Sequence, residues 1–137
     1  MKMALIYDTV AEGRKHFSDA LRAAGEGQPV TVLRSGGAIV LLDGTALLGF
    51  IAKATPSNAV IAQDEHGYSV YLPDKPIAAD GATIDEALDQ MVEALRTYAA
   101  AWHEVLRQAP NHADNWGLIQ LIELSDDDQL RNWLTGG

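Results

Sequence analysis

Residues 17–43 read FSDALRAAGEGQPVTVLRSGGAIVLLD, and the way this stretch is parsed decides the fold. Phe17, Leu21 and Ala24 recur at helical spacing, and Gly25 and Gly27 end the run. Two strand-like segments follow, PVTVLR and AIVLL, separated by Ser35-Gly36-Gly37. Glycine reaches the positive φ that a tight turn needs, so a β-hairpin is predicted here. A helix running straight into a hairpin gives mixed α and β structure. Arg34 closes the first strand, a cationic side chain at a hairpin tip in an acidic chain.

Towards the N-terminus, MALIY (3–7) reads as a short strand, and T-V-A-E (Thr9 to Glu12) is a capping box that opens the helix. Val10 joins Phe17, Leu21 and Ala24 on one apolar face, opposite Glu12, Lys15, Asp19 and Arg22. After the hairpin, Asp43 is placed to cap a short apolar helix, TALLGFIAKA, which ends before Pro56. The turn cluster Pro56-Ser57-Asn58 marks the module boundary, giving modules 1–55 and 56–137.

In the second module NAVIAQ and YSVYLP form a predicted hairpin around Asp64-Glu65-His66-Gly67. Gly81 and a second box, T-I-D-E (Thr83 to Glu86), open the longest helix. Its stripe runs Ile84, Ala87, Leu88, Met91, Val92, Leu95, Tyr98, Ala99, Trp102, Val105 and Leu106, a clear 3.6-residue period. Pro110-Asn111 breaks it. WGLIQLIEL (116–124) reads as a further helix, and Ser125 is expected to cap a last one with Asp126, Asp127 and Asp128 in its first turn. The fold class is α+β.

Composition narrows the function classes. At 137 residues and 47% hydrophobic content the chain holds one core or two small modules. It has no cysteine, so neither a disulfide nor a thiolate metal site holds it together. No run approaches the ~20 apolar residues of a membrane-spanning helix, and the first residues are too short for a signal-peptide core. A soluble, cytoplasmic protein is expected. Its net charge of −9 is unevenly placed. Residues 1–53 carry six Lys/Arg against five Asp/Glu, whereas residues 54–137 carry four against fourteen. Two surfaces with different partners would produce such a division, and so would ordinary acidic solubility.

The segment TVAEGRKHFSDALRAAGEGQPVTVLRSGGAIVLL resembles the prevent-host-death (Phd/YefM) antitoxins. Their pattern is a strand, a helix opening S/T-x-x-E-A-R, a hairpin G-x-P-V-x-[IV]-x-R-x-G, then a second short helix. That resemblance implies a βαββα module that dimerises and binds operator DNA through Arg14 and Arg34, with Lys15 as a neighbour. The second helix departs from the family in being almost wholly apolar. Further on, GYSVYLPDKPIAADGATIDEALDQMVEAL resembles the HicB antitoxin core, with Pro76-Ile77-Ala78 where that family shows P-G-C. Together with the helical tail, the chain resembles a PHD-like antitoxin grouped with RelE/ParE-type toxins. The implied architecture is a Phd/YefM-like βαββα module, a HicB-like ββα segment and a helical C-terminal tail.

Charge physics fits that implication. DNA affinity comes largely from neutralised phosphates, and one protomer offers Arg14, Lys15, Arg22 and Arg34. Two protomers related by a two-fold double the set and match a palindromic operator. The competing reading has Arg34 in a cross-strand salt bridge and Arg22 paired with Glu26. A toxin that acts on nucleic acid is expected to be basic, and an acidic module complements it. Trp116, Ile119, Leu130 and Trp133 are the candidate anchors for toxin, or they close the core over the long helix.

His103, Glu104, His112 and Asp114 form the only polar cluster to weigh for chemistry, and they lack H-E-x-x-H spacing. No enzyme activity, metal, cofactor or small-molecule substrate is expected. The leading expectation is a type II antitoxin that covers its toxin and represses its own operon. An orphan DNA-binding regulator and a protein-interaction module without DNA binding stand as alternatives.

Overall fold

The computed structural model describes residues 5–136, so Met3 and Ala4 of the expected first strand lie outside the described residues. The architecture is mixed α and β, with two three-stranded sheets and six α-helices among the described residues. The chain divides into two compact units, Met1–Gly49 and Phe50–Gly137.

The first unit contains β1 (Leu5–Tyr7), α1 (Val10–Lys15), α2 (Phe17–Gly25), β2 (Val30–Arg34) and β3 (Gly37–Leu41). Its sheet has the order β1-β2-β3, with β1 parallel to β2 and β2 antiparallel to β3. The hairpin turns at Ser35-Gly36, where Gly36 takes φ 89° and Arg34 comes to lie opposite Gly37. Thr9 caps α1 by accepting from the Glu12 amide at 3.1 Å. The expected single helix is broken at His16, whose φ of −110° and ψ of 26° are not helical.

Packing corrects the expected apolar face. The small residues Ala20 and Ala24 are buried against Val30, with Leu5, Tyr7, Ala23 and Leu41 around them. Val10, Phe17 and Leu21 stay about half exposed. A close helix–sheet approach selects the small side chains and pushes the large ones to the flank. The same approach is visible at Gly13, where an added Cβ would sit 3.2 Å from a Val32 methyl group.

Helix α3 (Gly44–Ala54) spans the division between the units. Asp43 caps it, accepting from the Ala46 amide at 3.0 Å. The second unit continues with β4 (Val60–Asp64), β5 (Gly67–Tyr71), β6 (Ala78–Gly81), α4 (Ile84–Glu104), α5 (Trp116–Leu124) and α6 (Asp127–Leu134). Strands β4, β5 and β6 form an antiparallel sheet in that order. Strand β6 has no local signature, because Ala78-Ala79-Asp80-Gly81 has little strand propensity. It exists by pairing, Tyr71 with Ala78 and Tyr68 with Gly81.

Helix α4 buries eight residues of its predicted stripe, from Ala87 to Trp102, while Ile84 and Val105 at the ends stay exposed. Met91, Leu95, Ile119, Leu121, Ile122 and Leu130 are among the fully buried side chains of this core. Asp126, and not Ser125, caps α6, exchanging hydrogen bonds with Gln129 in a complete capping box. The Ser125 hydroxyl instead donates to the Leu121 carbonyl at 2.6 Å, finishing α5.

Candidate functional site

The candidate cationic residues stand on two elements of the first unit. Arg14 and Lys15 occupy the last turn of α1, and Arg34 ends β2; all three are exposed. Successive residues of a strand point to opposite faces. Val30 packs on Ala20 and Ala24, and Val32 meets Gly13, so both point to the helix-bearing side of the sheet. Arg34 continues that series and leaves the sheet on the same side, which is also the side of α1. Among the described residues no ion pair engages Arg14, Lys15 or Arg34. The cross-strand neighbour of Arg34 is Gly37, which has no charge to offer. Arg22 pairs with Asp19 at 3.4 Å and not with Glu26.

The four candidate anchors of the second unit are placed differently from one another. Trp116, at the start of α5, is 56% exposed. Ile119 and Leu130 are fully buried. Trp133 is mostly buried and donates its indole N–H to the Thr55 carbonyl at 2.8 Å. In this conformation three of the four side chains serve the core, and Trp116 alone of the set has the exposure a surface anchor needs. Leu118, Ile119, Leu121 and Ile122 together define the buried side of α5, and Trp116, its first residue, lies at the rim of that arc.

A buried polar chain lies beside this region, and no sequence motif announces it. Lys75 Nζ donates to Asn115 Oδ1 at 2.7 Å, and Asn115 Nδ2 donates to the Tyr98 hydroxyl at 2.7 Å. The same hydroxyl is hydrogen-bonded to His112 Nδ1, 2.8 Å away. Trp102 Nε1 donates to the His112 carbonyl at 2.9 Å. The one visible signal is Tyr98 itself, a hydroxyl inside an apolar stripe that has to find a partner. A cleft of about 220 Å³ opens near Lys75, lined also by Thr55, Ser57, Asn58, Asp74 and Trp133.

His103 is paired with Glu123 at 2.6 Å, so neither histidine of the polar cluster is grouped with Glu104 or Asp114. Among the described residues no set of three His, Cys, Asp or Glu side chains is placed to hold a metal ion. None of their helices is long and apolar enough to cross a membrane.

The most conspicuous feature that the sequence pattern misplaces is apolar. Ile6, Val10, Phe17, Leu21, Leu33, Ile39, Val40 and Leu42 of the first unit are all between 39% and 52% exposed.

Comparison with known proteins gives one firm result. No protein-family model matches the sequence, and no curated protein matches it either. A solved structure does match. It is a crystal structure from Syntrophomonas wolfei subsp. wolfei, described as the antitoxin part of a proposed toxin/antitoxin system. The TM-score is 0.78 at 16% identity, over 97% of this chain and 96% of that one. The two chains share one fold. The mixed α and β architecture predicted from sequence is therefore one that a solved structure of an antitoxin also has, matched along almost the whole of both chains.

Proposed function

We propose that this chain is the antitoxin of a type II toxin–antitoxin pair. The observation that carries the reading is the end-to-end likeness to the Syntrophomonas wolfei antitoxin. The division of charge supports it, with fourteen Asp/Glu against four Lys/Arg in residues 54–137. In this reading the protein is cytoplasmic, performs no chemistry, and acts by covering a basic RelE/ParE-like toxin. The first unit is the Phd/YefM-like module, and the β4-β5-β6 sheet with α4 is the HicB-like segment.

Autorepression falls to the first unit. Arg14, Lys15 and Arg34 are exposed, lack ionic partners among the described residues, and emerge on one side of the sheet. An arginine at a hairpin tip can reach a base edge and pair its fork with the two acceptors of guanine. Two chains form a homodimer through the α2 flank, where Phe17 and Leu21 lie one turn apart and about half exposed. Toxin capture falls to the second unit, with Trp116 as the surface anchor and Ile119, Leu130 and Trp133 holding the helices that present it.

The test is fluorescence anisotropy of the protein on its own upstream DNA across a salt series. Binding should weaken steeply with salt. Arg34→Ala should weaken binding to the cognate site more than to unrelated DNA, as loss of a base contact requires, whereas loss of a phosphate contact at Arg14 should lower the log–log salt slope by about 1. Arg14→Ala is the second site. Unchanged binding in both variants would remove the DNA role from these residues. No binding at low salt, with or without the small basic protein encoded alongside, would end the repressor reading.

A further inference from the structure

The cleft beside Lys75 lies wholly within the second unit and is lined by charges of both signs. Leu72, Leu118 and Trp133 of its lining are buried, so its depth is apolar. Asp74 is exposed and Lys75 half-buried, so the charged groups stand towards its mouth. These two are neighbours in sequence, yet among the described residues neither makes an ion pair. The Lys75 ammonium hydrogen-bonds the neutral Asn115 Oδ1, and a half-buried charge without a counter-charge carries an uncompensated desolvation cost. The loop that presents both charges is fixed by its own backbone. The Lys75 amide donates to the Leu72 carbonyl at 3.2 Å, and the Leu72 amide to the Ile77 carbonyl at 3.1 Å. From the connection between α3 and β4 come Thr55 and Asn58, whose side chains make no hydrogen bond among the described residues. Asn58 also takes φ 49°, a left-handed conformation that is uncommon outside glycine and is often kept at ligand sites.

We propose that this cleft binds a free aliphatic α-amino acid, with its carboxylate on Lys75, its ammonium on Asp74 and its side chain on Leu72, Leu118 and Trp133. The inference stands apart from the antitoxin reading, which gives the cleft no role. The lining selects the ligand. A simple anion is repelled by Asp74 and a simple cation by Lys75, whereas a zwitterion satisfies both charges at once. The apolar depth receives a hydrocarbon side chain, and a few polar groups around it fix the orientation. Volume limits the size: about 220 Å³ falls below the roughly 300–1,000 Å³ of sites that take drug-sized ligands. The Thr55 hydroxyl and the Asn58 amide can each both donate and accept, so they complete the shell around the ligand's two polar ends. Because the loop of Asp74 and Lys75 is already fixed, little ordering is left to oppose binding. A bound amino acid joins that loop to the α3–β4 connection and, through Trp133, to α6. Occupancy therefore stabilises the folded second unit by mass action.

The test uses the full chain, whose three tryptophans give separate indole N–H signals in a proton–nitrogen NMR spectrum. L-leucine and L-valine, titrated through the millimolar range, should move the Trp133 signal along a saturable curve. Two analogues of leucine each lack one charge: isocaproate has no ammonium, and isoamylamine has no carboxylate. Each should bind about tenfold more weakly than leucine, or worse. Asp74→Asn should bring leucine down to the affinity of isocaproate and leave isocaproate itself no weaker. Lys75→Met should bring leucine down to the affinity of isoamylamine. Far-UV circular dichroism checks both variants, and the exposed Asp74 carries the test alone if Lys75→Met does not fold. A Trp133 signal that neither amino acid moves overturns the site. Isocaproate binding as tightly as leucine overturns the zwitterion in favour of a plain carboxylate site, and isoamylamine doing so overturns it in favour of a cation site. Leucine binding that is unchanged in Asp74→Asn also overturns the proposal.

Discussion

Gly81 has no room for a side chain. A Cβ there would fall 2.4 Å from the Ala87 amide nitrogen and 2.8 Å from the Glu86 carbonyl carbon, both backbone atoms of the first turns of α4. Gly67 is as constrained: its φ is 141°, and a Cβ would meet the Gly81 carbonyl oxygen at 2.5 Å. Backbone cannot swing aside as a side-chain tip can, so relief requires moving β6 or the start of α4. Gly81→Ala is expected to destabilise the protein by about 3 kcal/mol, the upper end of ordinary overpacking costs. Gly49 supplies the contrast, since it lies inside α3 with nothing near its missing Cβ. Gly49→Ala should leave stability unchanged or raise it by up to about 1 kcal/mol through helix propensity. Urea denaturation midpoints measure both, and equal effects would contradict the packing described here.

At the scale of elements, Arg96 ties the C-terminal helices to α4. Its guanidinium donates to the Ile122 carbonyl, to the Ser125 carbonyl at 2.8 Å and to Asp127 at 2.9 Å. The two carbonyls belong to the end of α5, where helix geometry leaves acceptors without partners. Arg96→Met should cost about 2 kcal/mol, moderated because the side chain is partly exposed. Arg96→Lys should recover only part of it, as one ammonium cannot reach three acceptors in the same fork geometry. Full rescue by lysine in thermal unfolding would reduce the clamp to a charge effect.

This clamp cannot be read in the sequence, because its partners are 26 to 31 residues away. What can be read is local. Thr9, Asp43 and Thr83 cap helices where their spacing predicts it. The α4 stripe is buried as its period requires. Local pattern fails where tertiary packing overrides it. Spacing puts Phe17, Leu21 and Ala24 on one apolar face, yet the close approach of α2 to β2 buries Ala20 and Ala24 and leaves Phe17 and Leu21 half exposed. Strand β6 exists only because Tyr71 and Tyr68 supply partners. The candidate cations are legible as residues, but their common side of the sheet is not, since it depends on the approach of Gly13 to Val32. The candidate anchors suffer most, because apolar spacing alone does not separate a core face from a docking face.

For the molecule as a whole, the two units are unequally provided with core. The first buries Ala20, Ala24 and Val30, two of them alanines, whereas the second buries Met91, Leu95, Tyr98, Trp102, Ile119, Leu121, Ile122 and Leu130 among others. A unit of this size is marginal even with an ordinary core, and this one leaves eight large apolar side chains substantially exposed among its described residues. In the homodimer proposed above, its stability comes in good part from association, which stabilises the folded state by mass action. Native-state hydrogen exchange can separate the two units by this property. Amides of α4 and α5 should show high protection that is independent of protein concentration. Amides of α2, β2 and β3 should exchange faster, and their protection should rise with concentration as copies associate. Protection of β2 that is already maximal in dilute solution would mean that the first unit stands without a partner, and the exposed apolar residues would then need another explanation.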